Sequence, residues 1–413
     1  MDRIFPIFDF IDGSEALAVE LQTELTKRPA LSPVSGGEGE IDKCLFLEQW
    51  LAAHGIDALE RHDAPDPRAK GGVRPNLIAT IAGKSAPDDT PNLWIMSHLD
   101  VVPAGEAALW DSDPWTAVKL DGRLVGRGVE DNQQGLVSSA LAALALVKLN
   151  IRPKRAVKLL FAADEECGSV FGVEWLLKNR RGLFKHGDFV LIPDGGSQAG
   201  DTIEIAEKNQ IWLKARTTGK QTHAAHPEMG RNACIAGADL LLRLRNGLLK
   251  KFSARDGLFE PDYSTVEPTK KEANVPNINT IPGEDVFYID VRALPRYPAK
   301  EILEEARRIK AGVEQDYGVK VEISAVQSME SKATPADAPI VKMLAASCKQ
   351  VLGVETRLIG IGGGTVGACL RNEGIDAVVW STLDNTAHQP NEYCVIKNLL
   401  GDAKVMAHLA VCE

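Results

Sequence analysis

Four short apolar segments in the first half of the chain end in acidic residues, histidine or glycine, and they limit the possible folds more than any other feature. Uninterrupted apolar segments of this length are typical of strands that are buried on both faces. An Ala- and Leu-rich stretch over 134–150 lies between the second and third segments and is long enough to be a helix. Strands separated by helices predict a largely parallel α/β sheet. The segments are NLIATIAG (76–83), NLWIMSHLD (92–100), AVKLLFAADEE (156–166) and DFVLIPDGG (188–196).

The pattern changes near residue 203. The sequence IEIAEKNQIWLKARTTG alternates between apolar and polar residues, which predicts a pair of antiparallel strands. Helical and strand patterns follow up to about residue 328, and the α/β pattern returns after Pro335. We therefore expect a main α/β domain formed by 1–206 and 329–413, with an α+β lid domain, 207–328, inserted into it. The predicted elements are helices near 40–55, 230–250, 299–312 and 338–351, strands near 277–294, 319–327, 356–361 and 376–381, and a last helix from about 393.

Charge and length argue for a protein that acts on small molecules. The 413 residues include 47 Lys and Arg and 57 Asp and Glu, so the formal net charge is −10, which disfavours binding to nucleic acid or to an anionic membrane. No apolar run reaches the roughly 20 residues that cross a bilayer, and no leader-like segment begins the chain. We expect a cytoplasmic protein. Its seven cysteines include no C-x-x-C pair, which favours reduced packing residues over a thiolate zinc site.

Several polar residues lie where predicted strands of the main domain end. The carboxyl ends of strands in such sheets meet at one edge, where ligands bind. The sequence therefore predicts that two imidazoles and up to five carboxylates come together. They are His98 and Asp100 after the second segment, Asp131 after the strand-like GRLVGRG, Glu165 and Glu166 after the third segment, Asp194 after the fourth, and His388 in the loop after the last predicted strand.

So many carboxylates in one place repel one another unless cations neutralise them. Two divalent ions, such as zinc, bind imidazole nitrogen and carboxylate oxygen and can share one carboxylate and one water or hydroxide, which is then a nucleophile at neutral pH. Of the adjacent residues Glu165 and Glu166, one can bind metal while the other transfers a proton. Asp100 lies two residues from His98 and is well spaced to accept the second N–H of that imidazole.

Motifs along nearly the whole chain resemble those of the M20 metallopeptidases and deacylases, which include succinyl-diaminopimelate desuccinylase, acetylornithine deacetylase, aminoacylase, carnosinase and glutamate carboxypeptidases. They occur in the order of that family and with similar separations. The matching segments are SHLDVVPAG (97–105), DPW (113–115), GRGVEDNQQG (126–135), FAADEECGS (161–169), IPDGG (192–196), NTIPG (279–283) and NTAHQPNE (385–392).

The resemblance implies a role for each of these residues. Asp131 corresponds to the carboxylate that bridges two metal ions, most often Zn²⁺, with Co²⁺ or Mn²⁺ as alternatives. His98 and Asp194 correspond to the other ligands of one ion, and Glu166 and His388 to those of its neighbour. Glu165 then corresponds to the general base, which takes a proton from the bridging water and delivers it to the leaving nitrogen.

The resemblance also implies a set of residues that contact the substrate. His223, in GKQTHAAHP (219–227), corresponds to a lid histidine that stabilises the oxyanion, in dimeric members from the opposite subunit. Arginine binds carboxylates through paired hydrogen bonds, so these residues favour a substrate with an amino-acid or peptide carboxyl terminus. A homodimer formed through the lid is expected. The remaining implied substrate contacts are Asn279, Arg292, Gly363, Gly364, Thr365 and Asn385.

Two positions depart from the family pattern. Many members have a lysine where this chain has Gln133, which removes a positive charge near the bridging carboxylate without deleting a metal ligand. His226 stands where the desuccinylases have tyrosine, and it is either a functional residue or an ordinary surface histidine.

Two alternatives remain. Gly362, Gly364 and Gly367 form a G-x-G-x-x-G pattern after an apolar strand, with Asp384 further on, which is also found in dinucleotide-binding oxidoreductases. The chain could also be a non-catalytic relative that binds metal or peptide. The sequence favours an enzyme of a third kind over both alternatives. It predicts a metal-dependent hydrolase that cleaves an amide bond next to a free carboxylate, as an N-acyl-amino-acid deacylase or an exopeptidase.

Overall fold

The computed structural model describes residues 4–85 and 90–411, and these divide into two compact units. The first unit contains the described residues up to Ile205, Thr334–Ile359 and the described residues from Thr365. The second contains Ala206–Ala333 and Gly360–Gly364. The second unit thus extends beyond the lid expected at 207–328, and it includes a five-residue glycine-rich loop that the sequence had assigned to the main domain.

Helices and strands alternate through most of the described chain. The helices are α1 (Ile4–Asp12), α2 (Glu15–Thr26), α3 (Ile41–Ala53), α4 (Gln133–Lys148), α5 (Val173–Asn179), α6 (Ala233–Lys251), α7 (Ala299–Tyr317), α8 (Pro339–Leu352), α9 (Val366–Asn372) and α10 (Ile396–Val411). The strands are β1 (Leu59–Pro65), β2 (Val73–Ile81), β3 (Leu93–His98), β4 (Val118–Leu120), β5 (Arg123–Val125), β6 (Val157–Ala162), β7 (Phe189–Ile192), β8 (Thr202–Glu207), β9 (Asn209–Thr218), β10 (Thr222–His223), β11 (Thr265–Lys271), β12 (Thr280–Ile281), β13 (Glu284–Ala293), β14 (Lys320–Met329), β15 (Arg357–Ile361), β16 (Asp376–Val379) and β17 (Tyr393–Val395).

The first unit is built on an eight-stranded sheet in the order β1-β2-β6-β3-β7-β16-β8-β15. Neighbouring strands β6, β3, β7 and β16 run parallel, whereas β2 pairs antiparallel with β1 and β6, and β8 pairs antiparallel with β16. Every residue of β3 and β7 is buried, as the apolar segments predicted. Helix α4 is buried along nearly its whole length, which explains its Ala- and Leu-rich composition. The predicted α/β class, with a parallel block flanked by helices, is confirmed.

The second unit is an antiparallel sheet in the order β11-β13-β9-β14, covered on one face by α6 and α7. Alternate residues of β9 and β13 point into a core with these helices, including Ile211, Leu213, Phe287 and Ile289. The other face of the sheet is polar or partly exposed. This two-layer arrangement is the α+β domain that the sequence predicted.

The predicted pairing within 203–219 is wrong. Strand β8 joins the large sheet of the first unit beside β16, whereas β9 joins the sheet of the second unit between β13 and β14. The burial of the two strands explains the difference: every residue of β8 is buried, as in a sheet interior, whereas β9 exposes alternate residues towards its carboxyl end. Alternation in the sequence therefore predicted two strands but not their partners.

No disulfide joins the described cysteines. Cys44, Cys348 and Cys394 are buried, Cys234 and Cys369 partly so, and Cys167 is exposed. Packing thus accounts for most of them but not for Cys167, while Cys412 lies outside the described residues. Among the helices in the described ranges, none is both long and apolar enough to span a membrane.

A buried charge network supports the turn that follows β6. Arg74, on β2, is fully buried, and its Nε lies 2.6 Å from Glu40 Oε2. Its Nη2 lies 3.1 Å from Asp164 Oδ1, and its Nη1 lies 3.6 Å from Asp66 Oδ2. Asp164 has a left-handed backbone (φ 65°) and directly precedes Glu165. The arginine therefore holds the residue from which the Glu165–Glu166 turn starts.

We expect Arg74→Met to lower the free energy of unfolding by about 3–5 kcal/mol, because it leaves the buried carboxylates of Glu40 and Asp164 without their cation. Urea denaturation followed by circular dichroism measures this change. Arg68→Met is the matched control, since Arg68 binds Asp66 through Nε and Nη2 (2.8 and 3.0 Å) but its side chain is half exposed. If the two substitutions lowered the free energy of unfolding equally, the burial of Arg74 would not determine how much it stabilises the protein.

Candidate metal centre

The five candidate metal ligands come from different segments of the first unit. His98 is the last residue of β3, Glu166 lies in the short 3-10 turn after β6, and Asp194 follows β7. Because β6, β3 and β7 are parallel neighbours, these three residues emerge at the same edge of the sheet. Asp131 lies in the turn between β5 and α4, and His388 in the loop between β16 and β17.

The structure brings these side chains together in two groups that share Asp131. His98, Asp131 and Asp194 form one group, and Asp131, Glu166 and His388 form the other; within each, one potential ligand atom per residue lies within 4.8 Å of the others. Asp131 Oδ1 is 2.9 Å from His98 Nε2, and Asp131 Oδ2 is 3.2 Å from His388 Nε2. His388 Nε2 is also 3.2 Å from Glu166 Oε2, and His98 Nε2 is 3.7 Å from Asp194 Oδ1.

The charges in this cluster shift its proton equilibria. Burial raises the pKa of Glu165, and the neighbouring charge of Asp194 raises it further. Burial also raises the pKa values of Glu166 and Asp194. Hydrogen bonds to Asp131 and Glu166 raise the pKa of His388 to about 10. These shifts favour proton binding by Glu165, Glu166, Asp194 and His388, whereas hydrogen bonds with His388 and His98 hold the pKa of Asp131 below its usual range. Divalent cations can replace such protons and neutralise the same carboxylates.

The donor set fits divalent cations that accept both nitrogen and oxygen. Each group offers one imidazole and two carboxylates, a combination that zinc binds readily and that magnesium and calcium, which prefer oxygen alone, do not. Glu166 Oε1 is buried and has no hydrogen-bond partner among the described residues. A metal ligand in this position would satisfy that oxygen.

Neighbouring groups fix the orientation of the candidate ligands. His98 Nδ1 lies 2.9 Å from the main-chain oxygen of Asp100 and 3.5 Å from its carboxylate. The Asp100 carboxylate instead accepts the backbone N–H groups of Glu165 and Glu166 (3.0 and 3.1 Å). The strand ends at His98, so Asp100 turns towards the Glu165–Glu166 segment and connects the two parts of the centre. Asn132 donates to Asp194 Oδ1 at 2.7 Å.

A buried lysine lies near these carboxylates. Lys43, on α3, is buried, and burial lowers its pKa to about 8, although Asp100, Glu40 and Glu392 act in the opposite direction. At Gln133, the family lysine is replaced by a buried amide whose Oε1 accepts from the Thr26 hydroxyl at 3.0 Å. Lys43 thus interacts electrostatically with Asp100, Glu40 and Glu392, whereas Gln133 carries no charge.

Two buried glutamates that the sequence did not single out hold the loops of the centre. Glu130, which precedes Asp131, accepts the backbone N–H groups of Asp384, Thr386 and Ala387 and the Thr386 hydroxyl. This loop carries His388, whose backbone is left-handed (φ 63°) and therefore unfavourable for a non-glycine residue. The Glu130 carboxylate thus stabilises the conformation that presents His388.

Glu392 makes the reciprocal contacts. Its carboxylate accepts the backbone N–H groups of Gly128, Glu130 and Asp131 at 2.9–3.0 Å, and Arg127 Nη1 at 2.7 Å. Each of the two loops therefore supplies a carboxylate that binds the backbone of the other. Both glutamates lie inside the motifs GRGVEDNQQG and NTAHQPNE, so their positions beside candidate ligands were the signal that sequence reasoning could have used.

Two of the predicted substrate contacts are brought together in the second unit. His223 pairs with Thr280 across β10 and β12, and the N–H of Ala224 donates to the main-chain oxygen of Asn279 at 2.9 Å. His223 is exposed, and its Nδ1 accepts the N–H of Ala225 at 3.1 Å. In the neutral ring the proton therefore lies on Nε2, which can donate a hydrogen bond to a substrate oxygen.

The other predicted contacts lie around the glycine-rich loop and in the loop of His388. Arg292 Nη1 donates to the main-chain oxygen of Gly362 at 2.8 Å, and Gly363 and Gly364 belong to the same unit. Thr365 is the N-cap residue of α9, and its hydroxyl oxygen accepts the N–H of Gly367 at 3.0 Å. Asn385, in the first unit, has a left-handed backbone (φ 60°), and its carbonyl accepts from the Gln389 side chain.

Comparison with known proteins gives a consistent match. The pattern of the family described as peptidase family M20/M25/M40 matches residues 94–411. The chain is 37% identical over 405 residues to an uncharacterised metallohydrolase of Methanocaldococcus jannaschii, a match that covers 94% of this chain and 97% of that protein. It is 27% identical over 390 residues to a succinyl-diaminopimelate desuccinylase of Phenylobacterium zucineum, covering 91% and 92%.

Solved structures show the same fold. A tripeptidase of Staphylococcus aureus superposes with a TM-score of 0.75 at 19% identity, covering 96% of this chain and 97% of that one. A dinuclear metal-binding M20 peptidase of Bacillus subtilis superposes with a TM-score of 0.67 at 18% identity, covering 97% and 98%.

We expect Glu130→Gln to weaken metal binding at the Asp131–Glu166–His388 group by about 10- to 100-fold, because an amide cannot accept the four hydrogen bonds that hold the His388 loop. Zinc content gives the number of ions bound per chain, and titration calorimetry gives the metal affinity of each of the two donor groups. Glu392→Gln should weaken both groups, since it releases the turn that carries the shared Asp131. The exposed Glu106→Gln is the control, and equal binding by all three variants and the unsubstituted protein would refute the role of the two carboxylates.

Proposed function

The chain belongs to peptidase family M20/M25/M40, and on that basis we propose that it is a two-metal amidohydrolase that cleaves an amide bond next to a free carboxylate. One observation carries the proposal: five donors from separate segments lie in two groups that share Asp131. The relatives and structures named above include a desuccinylase and a dinuclear metal-binding peptidase, which support this chemistry. Zinc is the metal we propose, because each group contains one imidazole and two carboxylates.

Divalent cations bound by these two groups would activate a water molecule and polarise the carbonyl of the substrate. Glu165 lies beside Glu166 and interacts electrostatically with Asp194, His98 and Asp131, so its carboxylate faces the same cluster. We assign it the role of the general base. It takes a proton from the attacking water and then donates that proton to the leaving nitrogen, so that the amide becomes a carboxylic acid and an amine.

The second unit supplies most of the proposed substrate contacts. His223 offers its Nε2–H to the oxygen that becomes negative as water adds to the carbonyl. Asn279, Arg292, Gly363 and Gly364 would contact the remainder of the substrate, together with Thr365 and Asn385. We further propose a homodimer formed through this unit, supported by the exposed Ile235 and Leu242, which lie seven residues apart on α6.

A dinucleotide-binding oxidoreductase is no longer supported. The helix that follows the glycine pattern, α9, has only seven residues, and Asp384 accepts a hydrogen bond from the Gln198 side chain at 2.8 Å. The match to a peptidase family covers residues 94–411, so the glycine pattern lies within that family's pattern.

The test of the proposed function is metal analysis joined to a hydrolysis screen. The screen contains dipeptides and N-acetyl, N-succinyl and N-carbamoyl amino acids, and release of the amine is measured with and without chelator. We expect about two metal equivalents per chain and hydrolysis of at least one class, abolished by chelator and restored by Zn²⁺, Co²⁺ or Mn²⁺. Which class is cleaved separates the deacylase from the exopeptidase, and a single metal equivalent would contradict the two-metal proposal.

We expect Glu165→Gln to keep both metal equivalents and to lower kcat by about 10²- to 10⁴-fold, because the amide cannot take a proton from water. Glu106→Gln serves as the control with unchanged activity. A non-catalytic metal-binding protein would show no hydrolysis before or after the substitution, and full activity of Glu165→Gln would assign the base elsewhere.

We expect His223→Ala to lower kcat by about 10²- to 10³-fold with little change in KM, because its hydrogen bond strengthens only as the oxyanion forms. His226→Ala is the matched control from the same exposed segment and tests whether that histidine has any role. Similar losses of kcat in both variants would show that activity depends on the exposed segment as a whole and not on the His223 ring.

Co-expression of the two inactive variants tests whether His223 acts across a dimer. If it does, a mixed dimer of Glu165→Gln and His223→Ala subunits has one complete site, so random assembly restores about a quarter of the original activity. If His223 acts within its own chain, the mixture stays inactive.

A further inference from the structure

Asp290 and Arg292 form a paired contact on the polar face of the second sheet. They lie two residues apart on β13, so their side chains share that face. Arg292 Nε donates to Asp290 Oδ1 at 2.7 Å, and Arg292 Nη2 donates to Asp290 Oδ2 at 3.0 Å. Arg292 therefore makes, with a residue of its own chain, the two parallel hydrogen bonds that it was expected to offer to a substrate carboxylate.

The remaining donors of Arg292 are also largely engaged. Its Nη1 donates to the main-chain oxygen of Gly362 at 2.8 Å. With the side-chain amide of Gln210 oriented to satisfy its neighbours, the Gln210 oxygen accepts from Arg292 Nη1 at 2.7 Å and from the N–H of Gly364 at 3.1 Å. A guanidinium has five N–H groups. Among the contacts within the described residues, one N–H of Nη2 is left for a ligand.

The strand pairing makes this arrangement rigid. Asp290 lies opposite Trp212, and Arg292 lies opposite Gln210, in the register of β13 and β9. Trp212 Nε1 donates to Asp290 Oδ2 at 2.9 Å, so the carboxylate is held from the neighbouring strand as well. Arg292 and Asp290 are only about a quarter exposed, at 27% and 23% of their side-chain surfaces. Asp290 is therefore a fixed neighbour of Arg292.

We propose that Asp290 is a specificity-determining residue, which occupies the paired edge of Arg292 and balances its charge. The subsite then contacts a substrate oxygen through a single N–H group, and the charge of Asp290 offsets the attraction of Arg292 for a substrate carboxylate. It distinguishes weakly between a carboxylate and a neutral amide, so the substrate class includes, beside the free acids of the proposed function, peptides and N-acyl amino acids whose terminal carboxyl group is blocked. This inference rests on the proposed function, in which Arg292 contacts the substrate.

The first test compares the best-hydrolysed compound of the screen with its C-terminal primary amide. In the unsubstituted protein, kcat/KM for the acid and for the amide should agree within about tenfold. Asp290→Asn removes the negative charge and frees Arg292 for the acid, so the acid-to-amide ratio should rise by at least about tenfold, mainly through a lower KM for the acid. A fall in kcat/KM for the acid would overturn the proposal, because it would mean that Asp290 orients Arg292 for carboxylate binding.

Two further variants separate this effect from general damage. Glu284→Gln breaks the exposed contact between Arg216 and Glu284, which lies at the other end of β13, and should leave the ratio unchanged. Arg292→Gln should lower kcat/KM for acid and amide alike, within about threefold of each other, because Arg292 discriminates little between them. A loss confined to the acid would identify Arg292 as a carboxylate clamp and overturn the proposal even if Asp290→Asn failed to fold.

A readout that does not need turnover uses phenylglyoxal, which modifies arginines that are free to react, followed by mass spectrometry of peptides. Arg292 should react at least about tenfold faster in Asp290→Asn than in the unsubstituted protein, while Glu284→Gln should accelerate only Arg216. Unchanged reactivity of Arg292 would overturn the proposal. If the screen yields no substrate, the proposed function fails, whereas this measurement still decides whether Asp290 occupies Arg292.

Discussion

The crowding of carboxylates at one edge of the large sheet is the constraint on which the first unit depends. Asp131 offers one oxygen to His98 and the other to His388, and Glu166 and Asp194 complete the two groups around it. Like charges at such distances repel, so the fold must hold them together against that repulsion. Rigid strand ends hold some of these donors, and hydrogen-bonded loops hold the others.

The loops are stabilised by carboxylates that do not belong to the two donor groups. Glu130 and Glu392 each accept several backbone N–H groups of the opposite loop, which fixes loop conformations that are unfavourable by themselves. Arg74 plays a comparable part beneath the Glu165–Glu166 turn, through Glu40 and Asp164. The geometry of the centre thus depends on buried polar groups whose hydrogen bonds replace those lost to water.

Much of the centre could be predicted because parallel strands end at the same edge, so residues distant in sequence, such as His98 and Asp194, had to meet there. The partners of β8 and β9 could not be predicted, since alternation defines a strand but not its neighbour. The contact of Asp290 with Arg292 could not be predicted from the sequence either. An aspartate two residues before an arginine on a strand is compatible with a paired contact and with two independent side chains, and the choice depends on Trp212 and Gln210 from the next strand.

The loop Gly360–Gly364 has a consequence for dissecting the protein. It belongs to the second unit although the residues on both sides of it belong to the first, so the polypeptide passes from one unit to the other at four places. A fragment that carries only 206–333 would lack Gly362 and Gly364, leaving Arg292 and Gln210 without their backbone partners. An isolated, correctly formed second unit therefore requires that this pentapeptide be grafted back, and excision at the first two junctions alone cannot produce it.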